Sequence, residues 1–309
     1  MRQSHPKEGL ARLCTLFGVS RQAFYEAQFH ENKTSIAHMI VLTLISDLRD
    51  DIPMLGTRKL LFMLSPELEK HGIKLGRDQL FDLLRFHGLL MRRRKRIVKT
   101  TDSHHWLKKY PNLIKDVILS AADQLWVSDI TYIRTLAGFS YLSLITDAYS
   151  RKIMGHTLYE TLEAAGPTEA LLMAIKERQE ISPFILIHHS DRGVQYCSSE
   201  YVEILTKEKI AISMTQSGSP YENALAERVN GTIKNDFFPK RVYQNHKEAS
   251  KAISRIIAVY NQKRPHASVD YLTPDEAHLK EGNLKKTMET VLQIQKANAG
   301  SMMVHEIKI

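Results

Sequence analysis

The sequence predicts a mixed α/β protein: a five-stranded sheet flanked by helices, preceded by all-α helix-turn-helix modules. Three observations predict it. Up to about residue 90, apolar residues recur at helical spacing, as in Leu80, Leu83 and Leu84. From about Leu119 the pattern changes to alternating runs broken by turn residues, and then to short apolar runs separated by helical stretches. Between the two lies Arg92-Arg93-Arg94-Lys95-Arg96, five adjacent cations that repel one another and gain little from packing.

Leu10, Leu13, Leu16 and Phe17 give a first helix. Gly18-Val19 breaks it, and Ser20 is placed to cap a second helix that turns Ala23 and Phe24 inward. Arg21, Gln22 and Tyr25 would face outward, and such side chains hydrogen-bond phosphates and base edges. Further helices are expected at Ile36 to Leu48, Thr57 to Leu64, and Arg77 to His87 with Gly88 as its C-cap. Strands follow at Leu125 to Ile133, Phe139 to Asp147 and Lys152 to Leu158 as an antiparallel meander turned at Gly138. A helix carrying Leu171, Leu172 and Ile175 leads to Phe184 to Ile187, an apolar run expected to be a strand buried on both faces. A helix at Ser199 to Glu208, a strand at Ile210 to Met214 and a helix from about Glu222 to Phe237 complete the order. The expected divisions are 1–32 (first helix-turn-helix), 33–98 (second helical module), 99–118 (basic linker), 119–282 (catalytic core) and 283–309 (C-terminal helix and tail).

Of 309 residues, 43% are apolar and 25% charged, in the range of an ordinary folded protein. Two cysteines, Cys14 and Cys197, are too few and too distant for a disulfide framework or a cysteine-rich zinc site. No apolar run reaches the roughly 18 residues of a membrane span, and the first residues lack a signal-peptide core. A reduced, cytoplasmic protein with no membrane partner is expected, nucleoid-associated when bound to DNA. Residues 1–100 hold 18 Lys and Arg against 10 Asp and Glu, while residues 101–309 hold 25 against 24. The basic front third suits a polyanion-binding module, although solvated surface charge gives the same sum.

Phosphodiester cleavage by the two-metal route needs acids on separate elements that hold two divalent ions roughly 3.5–4 Å apart. Their hard carboxylate oxygens suit Mg²⁺. Asp129 lies inside an apolar strand, where a bare charge costs several kcal/mol and a cation compensates it. Asp191 follows an apolar run, where the ligand sites of α/β sheets collect. Glu227 lies within a helix, with 35 residues between it and Asp191. Each has an ordinary alternative: an arginine partner for Asp129, a turn cap for Asp191, a solvated helix position for Glu227.

The phrases Trp126 to Ile133, His189-Ser190-Asp191-Arg192-Gly193-Val194-Gln195-Tyr196, and Gly218 through Glu227 to Lys234 resemble the catalytic signatures of insertion-sequence transposases. Those resemble retroviral integrases in turn. Asn261-Gln262-Lys263-Arg264-Pro265-His266 and Thr273-Pro274 resemble the segment that closes that core. The resemblance covers about residues 10 to 280 and implies a ribonuclease-H-like core with Asp129, Asp191 and Glu227 as metal-binding catalytic acids. It further implies two Mg²⁺ or Mn²⁺ ions. Lys234 matches the basic residue seven positions beyond the glutamate, and would share a helix face with Asn223, Glu227 and Asn230, while Leu225, Val229 and Ile233 pack inward. Asp147 matches a recurrent acid with a supporting role. Two departures lie outside the triad: Glu222 stands where aspartate is usual, a conservative change, and Arg228 stands where serine is usual, which would alter DNA contacts without removing a metal ligand.

The implied activity is DNA transposition. The chain would bind terminal inverted repeats and target DNA through Arg21, Gln22, Asn223, Arg228, Lys234 and Arg92 to Arg96. It would work as a dimer or larger assembly, with the preceding reading-frame product as a possible partner. Leu284, Met288 and Val291 give at most two turns of zipper seam. The rival readings are a non-catalytic DNA-binding accessory factor or repressor derived from a mobile element, and an RNA–DNA hybrid nuclease of the same core fold.

Overall fold

The computed structural model describes residues 10–91, 107–115, 117–178, 184–216, 223–238 and 242–284. The chain divides into two compact units, Met1–Asp50 with Leu55–Met91, and Asp51–Met54 with Arg92–Ile309.

The first unit is helical. Helix α1 (Leu10–Leu16) turns at Gly18 into α2 (Arg21–Asp51), and Ser20 Oγ caps α2 by accepting from the Ala23 N–H at 3.0 Å. Two separate helices were expected between Arg21 and Leu48, yet α2 runs unbroken across the boundary at 32/33, since no glycine or proline lies between Gly18 and Pro53. Ala23, expected inward, is exposed and Phe24 is half-buried, and Leu16 and Phe17 at the end of the first helix are exposed as well. Helix α3 (Thr57–Lys70) continues past Leu64 and through Pro66, because Leu60, Leu64 and Leu68 form one buried stripe that outweighs the lost backbone bond. Helix α4 (Arg77–Phe86) buries Leu80, Leu83 and Leu84 and ends at Gly88, whose φ of +67° is the left-handed C-cap expected there.

The second unit holds the sheet. Strands β1 (Leu125–Thr135), β2 (Gly138–Asp147) and β3 (Ile153–Tyr159) are antiparallel; β4 (Ile187–Ser190) and β5 (Ala211–Met214) run parallel to β1, in the order β3-β2-β1-β4-β5. Helix α5 (Ala165–Glu177) links β3 to β4, and α6 (Ser199–Lys207) links β4 to β5. This is the ribonuclease-H-like topology. A Cβ on Gly155 of β3 would fall 2.0 Å from the Ala170 carbonyl oxygen, so a side chain there would push α5 off the sheet.

Both faces of the sheet are covered. Trp126, Ile145, Met154, Leu171, Tyr196, Tyr201 and Met214 form the core on the α5–α6 side. Leu125, Val127, Ala148 and Ala226 form a smaller one beneath α7 (Ala224–Thr232). Strand β4 begins at Ile187, so the expected strand at Phe184 to Ile187 is displaced, and Phe184 and Ile185 are exposed. The buried strand is instead His188-His189-Ser190, made tolerable by partners: His188 Nε2 lies 2.7 Å from Ser128 Oγ and 2.9 Å from the Tyr201 hydroxyl, and His189 Nδ1 lies 2.8 Å from Ser213 Oγ.

Residues 107–115 belong to the expected linker, but they lie against β5. Leu107 and Tyr110 pack on the core, Met214 N–H donates to the Pro111 carbonyl, and Leu113 N–H donates to Ser213 Oγ at 2.9 Å. Helices α8 (His246–Lys263) and α9 (Pro274–His278) close the unit. The Asn261 amide donates to the Ile153 carbonyl at 2.9 Å and accepts from the Ile153 N–H at 3.0 Å, covering the edge of β3 as another strand would. Thr273 caps α9 in a reciprocal pair with Glu276, which explains Thr273-Pro274.

Candidate active site

Asp129 is buried on β1, with 7% of its surface exposed. Strand β4 lies beside β1 with Val127 opposite His189; two residues further along each chain come Asp129 and Asp191. Asp191 is one residue past the end of β4, so it follows the carboxyl end of the strand that lies beside β1. Asp191 Oδ1 also accepts from the Gly193 N–H at 2.9 Å, so one of its oxygens caps the turn.

Helix α7 is fastened to the same spot by two amides. Asn223 Nδ2 donates to the Ser128 carbonyl at 2.9 Å, and Asn230 Nδ2 donates to Asp129 Oδ2 at 2.9 Å. Glu227, four residues after one and three before the other, therefore occupies the helix face turned toward β1. Leu225 and Ala226 pack with Leu125 and Val127, and Val229 and Ile233 are buried, as the expected inward set requires.

The helix does not continue regularly to Phe237. After Thr232 it widens into a π-turn, Ile233–Phe237, a feature frequent at functional sites. Arg264, almost fully buried, fastens this turn: its Nε and Nη2 donate to Asp236 Oδ2 at 2.8 and 2.6 Å, and its Nη1 lies 2.8 Å from His266 Nε2. Lys234 sits in the turn. Partial burial lowers its ammonium below the ordinary lysine range, and the nearby charge of Asp129 opposes that shift.

Tyr196 brings a further group. Its hydroxyl is held well above the ordinary phenol range, first by burial, then by Tyr201, Asp191 and Asp129, so it is a protonated donor that senses both acids. Among the described residues, Tyr196 Oη, Asn223 Oδ1 and Asn230 Oδ1 are buried side-chain atoms with no hydrogen-bond partner. Carboxylate and amide oxygens are the hard donors that Mg²⁺ or Mn²⁺ takes, so the acids and the Oδ1 atoms of Asn223 and Asn230 fit such an ion, while the protonated Tyr196 hydroxyl suits a hydrogen bond to one of its oxygen ligands. The acids do not close into a ligand cluster: among the described residues, no three His, Cys, Asp or Glu side chains are grouped to hold a metal ion. Asp129 accepts from Asn230 and lies near the charge of Lys234.

The remaining expected residues divide. Arg228 is exposed on α7, and Asn223 is buried against β1 rather than turned outward. Arg21 and Gln22 are exposed on α2, Gln22 donating to Glu26 at 2.9 Å. Arg92, Arg93, Arg94, Lys95 and Arg96 lie outside the described residues, as does most of 283–309. Asp147 faces Trp126 across the β1–β2 ladder, away from Asp129. It accepts from Ser150 N–H and Oγ at 2.7 and 2.6 Å and from Asp123 N–H at 2.9 Å, and so closes the β2–β3 turn. Burial raises its carboxyl, while His278, Ser150 and Asp123 pull it back. Sequence reasoning missed the Arg264–Asp236 pair and singled out no role for Tyr196; the position of Tyr196 five residues after Asp191 was the only available signal.

The integrase core domain family matches residues 120–220, and a second integrase core domain family matches 208–274. A 31 kDa protein of insertion element IS600 from Shigella sonnei is 33% identical over 267 residues, covering 85% of this chain and 96% of that one. A protein assigned as the transposase of insertion sequence element IS986/IS6110 in Mycobacterium tuberculosis is 33% identical over 202 residues, covering 64% of this chain and 73% of that one. Among solved structures, the HTLV-2 integrase catalytic core domain in complex with magnesium aligns with a TM-score of 0.41 and 21% identity, over 51% of this chain and 97% of that one. With similarity to an insertion-element protein over 85% of its length and an integrase core around Asp129 and Asp191, the chain belongs to the insertion-sequence transposases.

Proposed function

We propose that this protein is a DNA transposase in which Asp129, Asp191 and Glu227 cut a strand at the end of a mobile element and transfer its 3′-hydroxyl to another strand. The observation that carries this reading is the Asn230–Asp129 hydrogen bond, which fixes the Glu227 face of α7 against the strand that bears Asp129 and runs beside Asp191. Two divalent ions, Mg²⁺ or Mn²⁺, would supply Lewis-acid stabilisation of the attacking and leaving oxygens.

The chain's own groups do the rest. Asn230 holds the Asp129 carboxylate in one orientation, and Asn223 holds α7 to β1. Lys234 places a cation beside Asp129 to bind a phosphate of the strand being cut. Arg228, exposed next to Glu227, contacts the flanking backbone. In the first step water attacks phosphorus and the bond to the 3′-oxygen breaks, which leaves with a proton as the 3′-hydroxyl. In the second, that hydroxyl loses its proton as it attacks the phosphorus of another phosphodiester, and the bond to that strand's own 3′-oxygen breaks, which leaves as a new 3′-hydroxyl, so no bond between protein and DNA forms. Arg21, Gln22 and the Arg92 to Arg96 segment bind the terminal inverted repeats. Two ends must meet, which calls for a dimer or larger assembly, and the preceding reading-frame product is a candidate partner. The reaction belongs to the cytoplasm.

The test is a supercoiled plasmid carrying both ends of the element that encodes the chain, incubated with protein and Mg²⁺. Nicked and joined products are expected, and each of Asp129→Ala, Asp191→Ala and Glu227→Ala should reduce them at least about 10²-fold without unfolding the protein. Binding to the ends without nicking would favour an accessory factor. Nicking that never yields joined strands would favour a plain nuclease.

A further inference from the structure

One face of the β1–β2 hairpin carries an aromatic group that neither core uses. Tyr132 is 42% exposed and Phe139 60% exposed, on adjoining strands. Their rings meet edge-on with centroids 6.3 Å apart, and Tyr141, directly opposite Tyr132 in the ladder, meets it at 6.2 Å. Arg134, paired with Phe139 and two residues from Tyr132, shares that face and is exposed. At its other end Lys234 Nζ stands 5.5 Å from the Tyr132 ring centroid, and the same lysine feels the charge of Asp129. Tyr132 leaves β1 on the side opposite Asp129, so Lys234, which lies near both, is what links the exposed rings to that carboxylate.

Resting on the function proposed above, we infer that Tyr132, Phe139, Arg134 and Lys234 form a stacking shelf for an unpaired base of the DNA strand held at Asp129. A phosphodiester reaches a pocket sunk between a strand and a helix more readily when its strand leaves the duplex, which exposes base faces at a cost in stacking. Aromatic side chains interleaved with cations offset that cost, because every base has a π-face and every nucleotide a phosphate. Charge also decides the occupant. Lysine is depleted at protein–protein interfaces, whereas here Lys234 and Arg134 flank the aromatic group, as the phosphates on either side of a stacked base require. The shelf is a positioning surface: it holds the strand, while the chemistry stays with the acids.

The test uses the full chain and two probes, a short blunt duplex and the same duplex extended by a single-stranded thymidine tail carrying one 2-aminopurine. The parent is expected to bind the tailed duplex about five- to tenfold more tightly and to quench the 2-aminopurine. Tyr132→Ala and Phe139→Ala should erase preference and quenching but keep blunt-duplex binding. Tyr132→Trp should retain both, showing that the face itself survives substitution. Lys234→Ala should weaken both probes together and flatten their salt dependence. If Tyr132→Ala keeps the parent's preference, or if the alanine variants change only the sedimentation of the protein, the shelf is refuted and the face is a protein contact. A parent that binds both probes equally refutes the shelf alone. A parent that binds neither refutes the proposed function and the shelf with it.

Discussion

The two faces of β1 treat buried polar groups in opposite ways. On the side of α5 and α6, Trp126 Nε1 donates to Asp123 at 2.8 Å, and Ser128, His188 and Tyr201 form a closed cluster. On the side of α7, Asn223 and Asn230 spend their N–H groups on β1 and leave Oδ1 without a partner, while Lys234 is half-buried beside Asp129. Tyr196 joins them: its ring packs with Tyr201 at 5.5 Å in the closed core, yet its hydroxyl has no partner and senses Asp129 and Asp191. A strand that only holds a fold together satisfies its buried atoms internally. The α7 face of β1 leaves acceptors open, as a face meant to receive something else does.

The sharpest way to break this comparison is to attack the closed side. Burial, with a smaller push from His189, lowers His188 to about 3 from its ordinary 6.5. The folded state therefore keeps the ring neutral while the unfolded chain binds a proton below pH 6.5. Stability is full above that pH and is lost as pH falls toward 3, at about 1.4 kcal/mol per unit. Urea melts between pH 6.5 and 4 should show the parent losing about 3 kcal/mol more than His188→Gln. Equal losses would mean that the cluster is open to water. At pH 7 the variant should itself be less stable by about 1 kcal/mol, since it loses the ring contacts with Tyr196 and Tyr201.

The same contrast marks what could be read from the chain. The meander, the helices around Leu171 and Tyr201, and the order of elements follow from periodicity, because one-sided burial writes itself into sequence. Strand β4 did not, because a buried His188-His189-Ser190 looks polar until its partners Ser128, Tyr201 and Ser213, all distant in sequence, are known. The unbroken α2 was hidden by a long stretch without a regular apolar stripe, and the passage of α3 through Pro66 by a local rule that tertiary burial overrides. Asp129, Asp191 and Glu227 stood out by motif and spacing. The π-turn and the Arg264–Asp236 pair that fastens it depend on residues 28 positions apart, and no local pattern announces them.

On the open side, function should suffer more than stability. Asn230→Ala removes the donor that orients Asp129, and losing a residue that orients a metal ligand typically costs 10–100-fold in activity or metal affinity. Plasmid nicking is expected to fall about tenfold, with a stability change near 1 kcal/mol. A variant that nicks like the parent but melts far lower would make Asn230 a structural residue and erase the difference between the two faces.

Tyr196→Phe gives the smallest effect and the finest discrimination. A buried hydroxyl without a partner carries a desolvation cost of about 1–3 kcal/mol, which phenylalanine avoids in the same space. The ring contacts with His188 and Tyr201 remain. The variant should therefore be more stable by about 1 kcal/mol, a rise of about 2–4 °C in Tm for a protein of this size. Nicking should fall several-fold at the same time, because the atom removed is one that the pocket holds ready at a cost in stability. A drop in Tm would show that the hydroxyl is already satisfied in solution, and Tyr196 would then belong wholly to the closed face.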